Sequence, residues 1–156
     1  LSIDLPSNTE PIISIPKYPD LQVTIEPKEI LNFTIFSEDE DGDRISLRLD
    51  GVGFNPFDLG IDFQERAGEI NTEADFSWAA DCNYLSASGV DKFEFLFMAE
   101  DEDKCNITNM DTVIFVVNVV ASENQSPVID RFEPIQLEVN EPFSLQIEAF
   151  DSISFS

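Results

Sequence analysis

Carboxylates are the chemically active side chains that stand out in this sequence, and many of them lie in two short turns. The first turn spans residues 37–43 (SEDEDGD) and the second spans residues 100–103 (EDED). Carboxylates this close together repel one another, which raises their pKa values or spreads the loops unless a cation lies among them. Calcium takes about six to eight hard oxygen ligands in flexible geometry. The turns therefore predict a calcium site; the alternative is two solvated acidic turns that stop edge pairing.

The first turn does not match the calcium loop of an EF-hand. That loop needs a glycine at its sixth position, which is Arg44 here, and it needs a helix on each side.

Catalysis is not indicated by the sequence, because it has no histidine and no motif that sets an acid beside a nucleophile. Paired carboxylates cleave glycosides only when they face each other across a cleft, and no pattern places two of them so. We therefore predict that the chain is not an enzyme.

Cys82 and Cys105 are the two cysteines, and their spacing leaves three alternatives open. In an extracellular setting two cysteines indicate a disulfide. If each one follows its own strand of an antiparallel pair, about eight strand residues place them roughly 25 Å apart, whereas a disulfide needs Cα atoms within about 7 Å. The bond is therefore formed within one repeat by a returning connection, or formed between neighbouring repeats, or the thiols are free.

Charge and composition narrow the class of partner. The chain of 156 residues carries 32 acidic and 8 basic side chains, for a net charge of −24. Such a surface repels nucleic acids and anionic membranes and attracts cations. There is no apolar run of about twenty residues, so no membrane insertion is predicted. The sequence starts at Leu1 without a signal peptide, and we expect it to be a segment of a longer chain.

Alternating apolar residues predict the strands that position these turns. Fourteen phenylalanines and many Val and Ile residues favour strands over helices. Seven strands, with turns between them and no helical period, predict an all-β Greek-key sandwich of the Ig-like or cadherin-like kind. Both acidic turns then lie at the end of the sandwich where the first strand begins. The predicted strands are residues 12–15 and 21–25 (one split strand), 30–36, 45–49, 61–63, 76–80, 93–97 and 112–120.

The last two strands also carry apolar residues on their outward face. Since these strands are neighbours in such a sandwich, their outward apolar side chains predict a contact surface. The alternative is that the Phe- and Gly-rich crossing at residues 51–57 folds over this surface and covers it. The four outward residues are Leu96, Met98, Ile114 and Val116.

Internal similarity predicts a tandem array. The motif Asn8-Thr9-Glu10-Pro11 returns 116 positions later as Asn124-Gln125-Ser126-Pro127, and Phe33-Thr34-Ile35 returns 112 positions later as Leu145-Gln146-Ile147. A period near 115 residues suits an immunoglobulin-sized domain. We therefore expect the end of one repeat at residues 1–7, a complete domain at 8–122 and a linker with the first strands of the next repeat at 123–156. Two strands cannot bury their own faces, so either the chain continues or another subunit adds a strand.

The sequence also resembles a known group of proteins through several short motifs. It is similar to the cadherin-like and immunoglobulin-like repeats of giant surface adhesins in Bacteroidota, of the gliding-motility and grappling-filament kind, which are exported by type IX secretion. The resemblance covers residues 8–127 and recurs weakly to Asp151. The motifs that carry it are Phe76-Ser77-Trp78, Asp81-Cys82, Phe95-Leu96-Phe97, Ala99-Glu100-Asp101, Cys105, Asp111-Thr112, Val117–Val120, Asn124 and Pro127.

This resemblance implies that calcium rigidifies the junctions between repeats. Residues 152–154 (SIS) depart from the acidic pattern after Asp151, which weakens the expectation of calcium at the second junction. The implied ligands are Asp39, Asp41, Asp43, Asp101 and Asp103, with Glu123 and Asn124 at the next junction.

Taken together, these features predict a structural and adhesive module of a long extracellular protein at the cell surface. Its expected partners are the neighbouring repeats of the same chain, in a fibre or homo-oligomer, together with an unidentified adhesion target. The alternative is a ligand-binding or carbohydrate-binding sandwich attached to a secreted protein. Against that alternative, Trp78 alternates inward and the two tyrosines, Tyr18 and Tyr84, are far apart, so no aromatic sugar platform is evident.

Overall fold

A computed structural model of the chain describes residues 8–66, 71–85, 90–102, 108–121, 128–129, 133–140 and 142–150. The chain divides into two compact units, unit 1 at Leu1–Ala121 and unit 2 at Ser122–Ser156. Within the described residues unit 1 has eight strands and two short 3₁₀ turns, Pro56–Leu59 and Cys82–Tyr84. The strands are β1 (Ile12–Ser14), β2 (Gln22–Ile25), β3 (Ile30–Glu38), β4 (Arg44–Gly51), β5 (Asp62–Arg66), β6 (Asn71–Ala79), β7 (Val90–Glu102) and β8 (Met110–Val120).

The strands of unit 1 form two four-stranded sheets, in the orders β1-β3-β6-β5 and β2-β8-β7-β4. With β1 and β2 taken as a split first strand, this is the immunoglobulin arrangement, in which strands A, B, E and D form one sheet and C, F and G form the other. The predicted all-β sandwich is thus confirmed. Every described strand pair in the two sheets is antiparallel except β2 with β8, which is parallel.

The core lies between the two sheets and consists largely of aromatic rings on alternating positions. Phe33 on β3 stacks on Phe76 of β6 and contacts Phe115 of β8, each with ring centroids 4.8 Å apart. Trp78 is buried beside Phe95, with centroids 5.4 Å apart, and its indole N–H donates to the carbonyl of Leu59 at 3.2 Å. That bond satisfies the polar atom of a side chain that otherwise contributes apolar area.

The first strand is split because prolines interrupt its pairing. Pro16 and Pro19 have no amide hydrogen to donate to a ladder, so the chain leaves the first sheet after β1. A turn follows, in which the Tyr18 amide donates to Ile15 and the Leu21 amide donates to Tyr18. The chain then joins the other sheet as β2, where Gln22 lies opposite Val116 and Ile25 lies opposite Val119.

Unit 2 contains two short strands among its described residues. β9 (Val128–Ile129) pairs antiparallel with β10 (Ala149–Phe150). The apolar side chains described between these strands are all exposed. They are Ile135, Leu137, Val139, Phe143, Leu145 and Ile147.

Candidate functional site

The leading end of unit 1 brings the first acidic turn close to residues 100–102, as the sequence predicts, but residues 100–102 end strand β7 and do not form the second predicted turn. We use the term for the end where the segment before β1, the β3–β4 turn and the β7–β8 hairpin meet. Asn8 hydrogen-bonds Asp101 of β7, and Thr9 hydrogen-bonds Asp41 of the β3–β4 turn. Two residues of the leading segment are therefore bound by carboxylates that are 60 positions apart in sequence.

Asp101 is the most buried acid at this end, with no exposed area. It lies on the inward side of β7, opposite Ile45 of β4. One carboxylate oxygen accepts the Asn109 amide at 2.6 Å, and the Asn8 side-chain amide donates to both carboxylate oxygens at 3.3 Å. A buried carboxylate is stable only with such donors, so Asp101 and the leading segment hold each other in place.

Asp41 of the β3–β4 turn binds Thr9, the next residue of the leading segment. Its Oδ2 accepts both the backbone amide and the hydroxyl of Thr9, each at 2.6 Å. The Thr9 hydroxyl and then the Thr9 amide lower the pKa of Asp41 below its usual value of 3.8, against a smaller opposing effect of desolvation. Asp41 therefore stays ionised, and bound to Thr9, to lower pH than an ordinary aspartate.

Asp39 organises the acidic turn itself. Its Oδ1 accepts the amides of Asp41 at 2.9 Å and Asp43 at 3.1 Å, which closes the turn around the carboxylate. Asp39 is only 4% exposed, and its Oδ2 has no hydrogen-bond partner among the described residues. The buried hydroxyl of Ser37, two positions earlier on β3, has none either. Unsatisfied buried oxygens of this kind are places where water or a cation binds.

Several residues of this site were not singled out by sequence reasoning. The Asn109 side chain donates to the backbone carbonyls of Asn8 at 3.3 Å and Thr9 at 3.4 Å. Asp111 accepts the amide of Ile13 at 3.0 Å and so attaches β1 to β8. Asn8 and Thr9 were noticed only as a recurring motif. Their recurrence could have indicated a role at this site, because a motif that recurs at the start of each repeat is expected to have the same structural role in each.

The described residues do not show an assembled metal centre. No group of three or more His, Cys, Asp or Glu side chains within them is arranged to hold a metal ion. Asp39, Asp41 and Asp101 lie at the leading end, where Asp41 and Asp101 face hydrogen-bond donors, and Asp43 follows in the same turn. The other three predicted ligands, Asp103, Glu123 and Asn124, lie outside the described residues. Calcium thus stays a prediction.

Cys82 is exposed in the 3₁₀ turn after β6, and it has no disulfide partner among the described residues. Its partner in the predicted disulfide, Cys105, lies outside the described residues. Cys82 is at the trailing end, where the chain returns from β6 to begin β7. The 13 residues of β7 then span roughly 40 Å before that strand ends at Glu102. Cys82 is therefore far from the end of β7 that precedes Cys105 in sequence.

The predicted contact surface faces outward from the sheet β2-β8-β7-β4. Leu96 of β7 lies opposite Ile114 of β8. Met98 is two residues further along β7 and lies on the same face. Ile114 is 47% exposed, while Leu96, Met98 and Val116 are half-buried. Phe54, in the crossing that was the alternative cover, packs instead against the inward-facing rings of Phe93 and Phe95.

A polar hollow of about 480 Å³ lies next to the leading end on the outer side of β4. Arg48 pairs with Glu100 across the strands at 3.0 Å, and both side chains are partly exposed. The hollow thus holds charges of both signs. Its lining residues are Arg44, Ser46, Arg48, Glu100, Asp101, Glu102 and Thr108.

Comparison with known proteins gives likenesses of structure only. No protein-family model and no curated protein sequence matches the chain. The sialic acid binding region of the Streptococcus sanguinis SK1 adhesin, bound to 3'sLn, is similar with TM-score 0.54 and 15% identity over 78% of this chain and 33% of that one. The SrpA adhesin from Streptococcus sanguinis is similar with TM-score 0.50 and 14% identity over 81% of this chain and 66% of that one.

A further SrpA adhesin structure, of a mutant, has TM-score 0.51 and 13% identity over 83% of this chain and 69% of that one. Identities of 13–15% show a shared β-sandwich fold. The chain spans one third of the length of the first of these structures. Among the described residues, no helix is long and apolar enough to cross a membrane.

Proposed function

We propose that this chain is a structural and adhesive module of an extracellular repeat protein, and that its sandwich carries tension along the polypeptide. The observation that carries the proposal is the parallel pairing of β2 with β8. This pair joins β2, the first strand of its sheet along the chain, to β8, the last strand of unit 1. The other described strand pairs in the two sheets are antiparallel.

The parallel pair is placed so that tension shears it. The chain comes in at the leading end, at Asn8, and leaves after Val120 at the other end of β8, which is roughly 34 Å away for 11 residues. Both strands run from the leading end to the trailing end. Tension on the two chain ends therefore pulls β2 and β8 in opposite directions along their common axis, and the hydrogen bonds between them share the load.

The leading end supports the same function by fixing the direction of the incoming chain. Asp101, Asp41 and Asn109 hold the backbone and side chains of Asn8 and Thr9 immediately before β1. A linker held this way transmits orientation from one module to the next, whereas a free linker acts as a flexible coil. The module then sets both the reach and the stiffness of the array.

Calcium binding at the leading end is part of the proposal. The buried Oδ2 of Asp39 is an oxygen without a partner among the described residues, beside a turn rich in carboxylates. A cation there would lower the repulsion that the net charge of −24 creates. Thermal melting with millimolar calcium and with chelator tests it: the melting temperature rises with calcium, and an unchanged value contradicts calcium binding.

The wider setting is also proposed: a surface-exposed or secreted protein of the Bacteroidota adhesin kind. The neighbouring modules of the same chain are its first partners, and the outward face at Leu96, Met98, Ile114 and Val116 is a further contact surface for assembly into a fibre. The adhesin likenesses support an adhesive setting through the fold alone. A disulfide between Cys82 and the Cys105 equivalent of a neighbouring module would crosslink such an array, whereas a disulfide within one module would stabilise that module alone.

Force spectroscopy of unit 1 between two reference domains tests the load-bearing function. The Leu21 carbonyl accepts the Val116 amide at 2.9 Å, so strand alternation turns the Val23 amide toward β8 and the Thr24 amide away from it. Val23→Pro therefore removes a shared bond, and Thr24→Pro is the matched control. We expect the rupture force to fall clearly in Val23→Pro and to change little in Thr24→Pro. Equal losses, or no loss in either, contradict the proposal.

A second candidate is ligand binding, which the polar hollow favours. Arg44 and Arg48 are two of only eight cationic side chains, and they share this hollow with hydroxyl groups that suit a polar, acidic sugar. Binding of sialylated and asialo glycans to the full chain tests it, with Arg48→Ala as the variant and Lys92→Ala as the control. Loss of sialoglycan binding in Arg48→Ala alone supports this candidate, and no glycan binding by the parent chain contradicts it.

A further inference from the structure

Unit 2 repeats the sequence pattern of the first three strands of unit 1. At an offset of 112 positions, apolar residues fall on apolar residues and polar residues fall between them. The equivalent apolar residues are Val23 and Ile25 with Ile135 and Leu137, and Leu31, Phe33 and Ile35 with Phe143, Leu145 and Ile147.

The strand pairing in the two units has the same register. β1 pairs antiparallel with the end of β3, and β9 pairs antiparallel with β10. β9 lies 116 positions after the start of β1, whereas β10 lies 112 positions after the end of β3. The difference of four residues falls in the connection after the first strand, where loops tolerate changes of length. The equivalent pairs are Ile13–Ser37 with Ile129–Ala149 and Ile12–Glu38 with Val128–Phe150.

The turn between the second and third strand segments is also shared. In unit 1 residues 27–28 form a turn and Lys28 has φ 69°; in unit 2 residues 139–140 form a turn and Asn140 has φ 74°. Few residues other than glycine adopt this left-handed conformation. Its occurrence at the same position of both units is a second, independent agreement in backbone geometry.

What differs between the units is the set of partner strands. In unit 1, β3 pairs with β6 through nine residue pairs and β2 pairs with β8, and Leu31, Phe33 and Ile35 are 2%, 6% and 0% exposed. In unit 2 the equivalent Phe143, Leu145 and Ile147 are 49%, 44% and 59% exposed. The strand pairing described in unit 2 is that of β9 with β10, and both of these strands lie within residues 128–150.

We propose that residues 128–150 are the first three strands of a second domain of the same fold, and that the segment from Phe143 to Phe150 accepts an antiparallel strand of the β6 type. That strand is extended, with aromatic or aliphatic side chains at every second position, as Ala74, Phe76 and Trp78 are in β6. Backbone bonds along the open side of the segment supply affinity, and the exposed apolar row supplies the face on which the opposite sheet packs. This second domain would be the neighbouring module of the repeat protein described under the proposed function, so the inference rests on that function.

The test supplies unit 2 with the strands that pair with the equivalent segments in unit 1. At the offset of 112, Ser156 is equivalent to Arg44, so residues 45–121 are appended directly after Ser156. We expect a second cooperative unfolding transition and new hydrogen-exchange protection at Phe143, Leu145 and Ile147. Unit 1 alone provides the reference transition. An extended chain with a single transition and no new protection overturns the proposal.

Two variants of the extended chain show whether the apolar row is what the added strands recognise. Leu145→Asp places a charge on the row, whereas Gln146→Asp places the same charge on the opposite face. We expect the second transition to disappear in Leu145→Asp and to remain in Gln146→Asp. Loss of the second transition in both variants, or in neither, would overturn the assignment of the Phe143, Leu145 and Ile147 row as the face that the added strands recognise. The force measurements on unit 1 are independent of this result, so the proposed function and this inference fail separately.

Discussion

Residues 12–38 of unit 1 and residues 128–150 of unit 2 share a sequence pattern, a strand register and a left-handed turn. The equivalent apolar residues nevertheless differ in burial, since Phe33 is buried and its counterpart Leu145 is exposed. The register and the turn arise from residues close together in sequence, so both segments form them. Within the part of the chain that the structure describes, the continuous strands lie in unit 1, where β6 and β8 pair with them. The comparison separates what this sequence folds locally from what it folds only with distant strands.

Truncating the same core position in both units should give the largest contrast. Phe33→Ala removes a ring that stacks on Phe76 and contacts Phe115, and we expect it to lower the free energy of unfolding by about 3–5 kcal/mol. Its counterpart Leu145→Ala alters an exposed side chain, and we expect a change within about 0.5 kcal/mol. Urea denaturation of the 156-residue chain measures both. Similar losses in the two variants would mean that the row in unit 2 is buried in solution.

The leading end gives the next contrast, because distant carboxylates hold β1 and its preceding segment. Asp101→Ala leaves the Asn109 amide without its acceptor in a buried place, and we expect a loss of about 2–3 kcal/mol. Asp101→Asn keeps one acceptor oxygen and should lose less. Urea denaturation measures the free energy of unfolding of both variants, and ¹⁵N relaxation should show a lower order parameter for the Thr9 amide in Asp101→Ala. An unchanged order parameter for Thr9 would contradict the role of Asp101 in holding the leading segment.

The shared left-handed turn should respond differently in the two units. A β-branched residue is strained at positive φ, so Lys28→Val should destabilise unit 1 by about 1–2 kcal/mol. Asn140→Val imposes the same strain on a turn that unit 1 does not contain, and the unfolding of unit 1 should not change. Thermal melting of both variants makes the comparison. A loss for Asn140→Val equal to that for Lys28→Val would show that the two units unfold together.

The smallest expected effect concerns the titration of Asp41. Its folded pKa lies below 3.8, so the stability that it contributes is present above the unfolded value and is lost as pH falls through the lowered folded value. Thr9→Val removes the hydroxyl that is the largest cause, and the pKa of Asp41 should rise toward 3.8. Carboxyl ¹³C NMR titration measures it. An unchanged pKa in Thr9→Val would show that the hydroxyl is not the donor that matters.

Sequence patterns predicted the fold of unit 1 well because sandwich strands alternate inward and outward with period two. Within the predicted strands 76–80 and 45–49, the alternating apolar residues Phe76, Trp78 and Ala80 and the pair Ile45 and Leu47 are buried. The split of the first strand followed from Pro16 and Pro19. The placement of its two parts in different sheets and the parallel pairing with β8 did not, because pairing of residues about 94 positions apart leaves no local pattern.

The leading end was predicted in part. The convergence of the acidic turns at one end followed from the topology of a sandwich. The use of Asp41 and Asp101 to hold Thr9 and Asn8 did not, because a carboxylate run looks the same in sequence whether it binds a cation, water or backbone amides. Asp111 was noticed only as part of a motif, and its role and that of Asn109 at this site were missed, because each role depends on a partner about 100 positions away.

The load-bearing role of the β2–β8 pair is tested most directly by pulling unit 1 in two directions. With Cys82 and Cys105 changed to serine, one version is held at its two chain ends, which shears the pair. The other is held by cysteines introduced at Asp20 and Thr112, near the starts of β2 and β8, which peels the strands apart one bond at a time. We expect a clearly higher rupture force along the chain ends, and Val23→Pro should lower that force alone. Equal rupture forces in the two directions would contradict a sandwich built to carry tension.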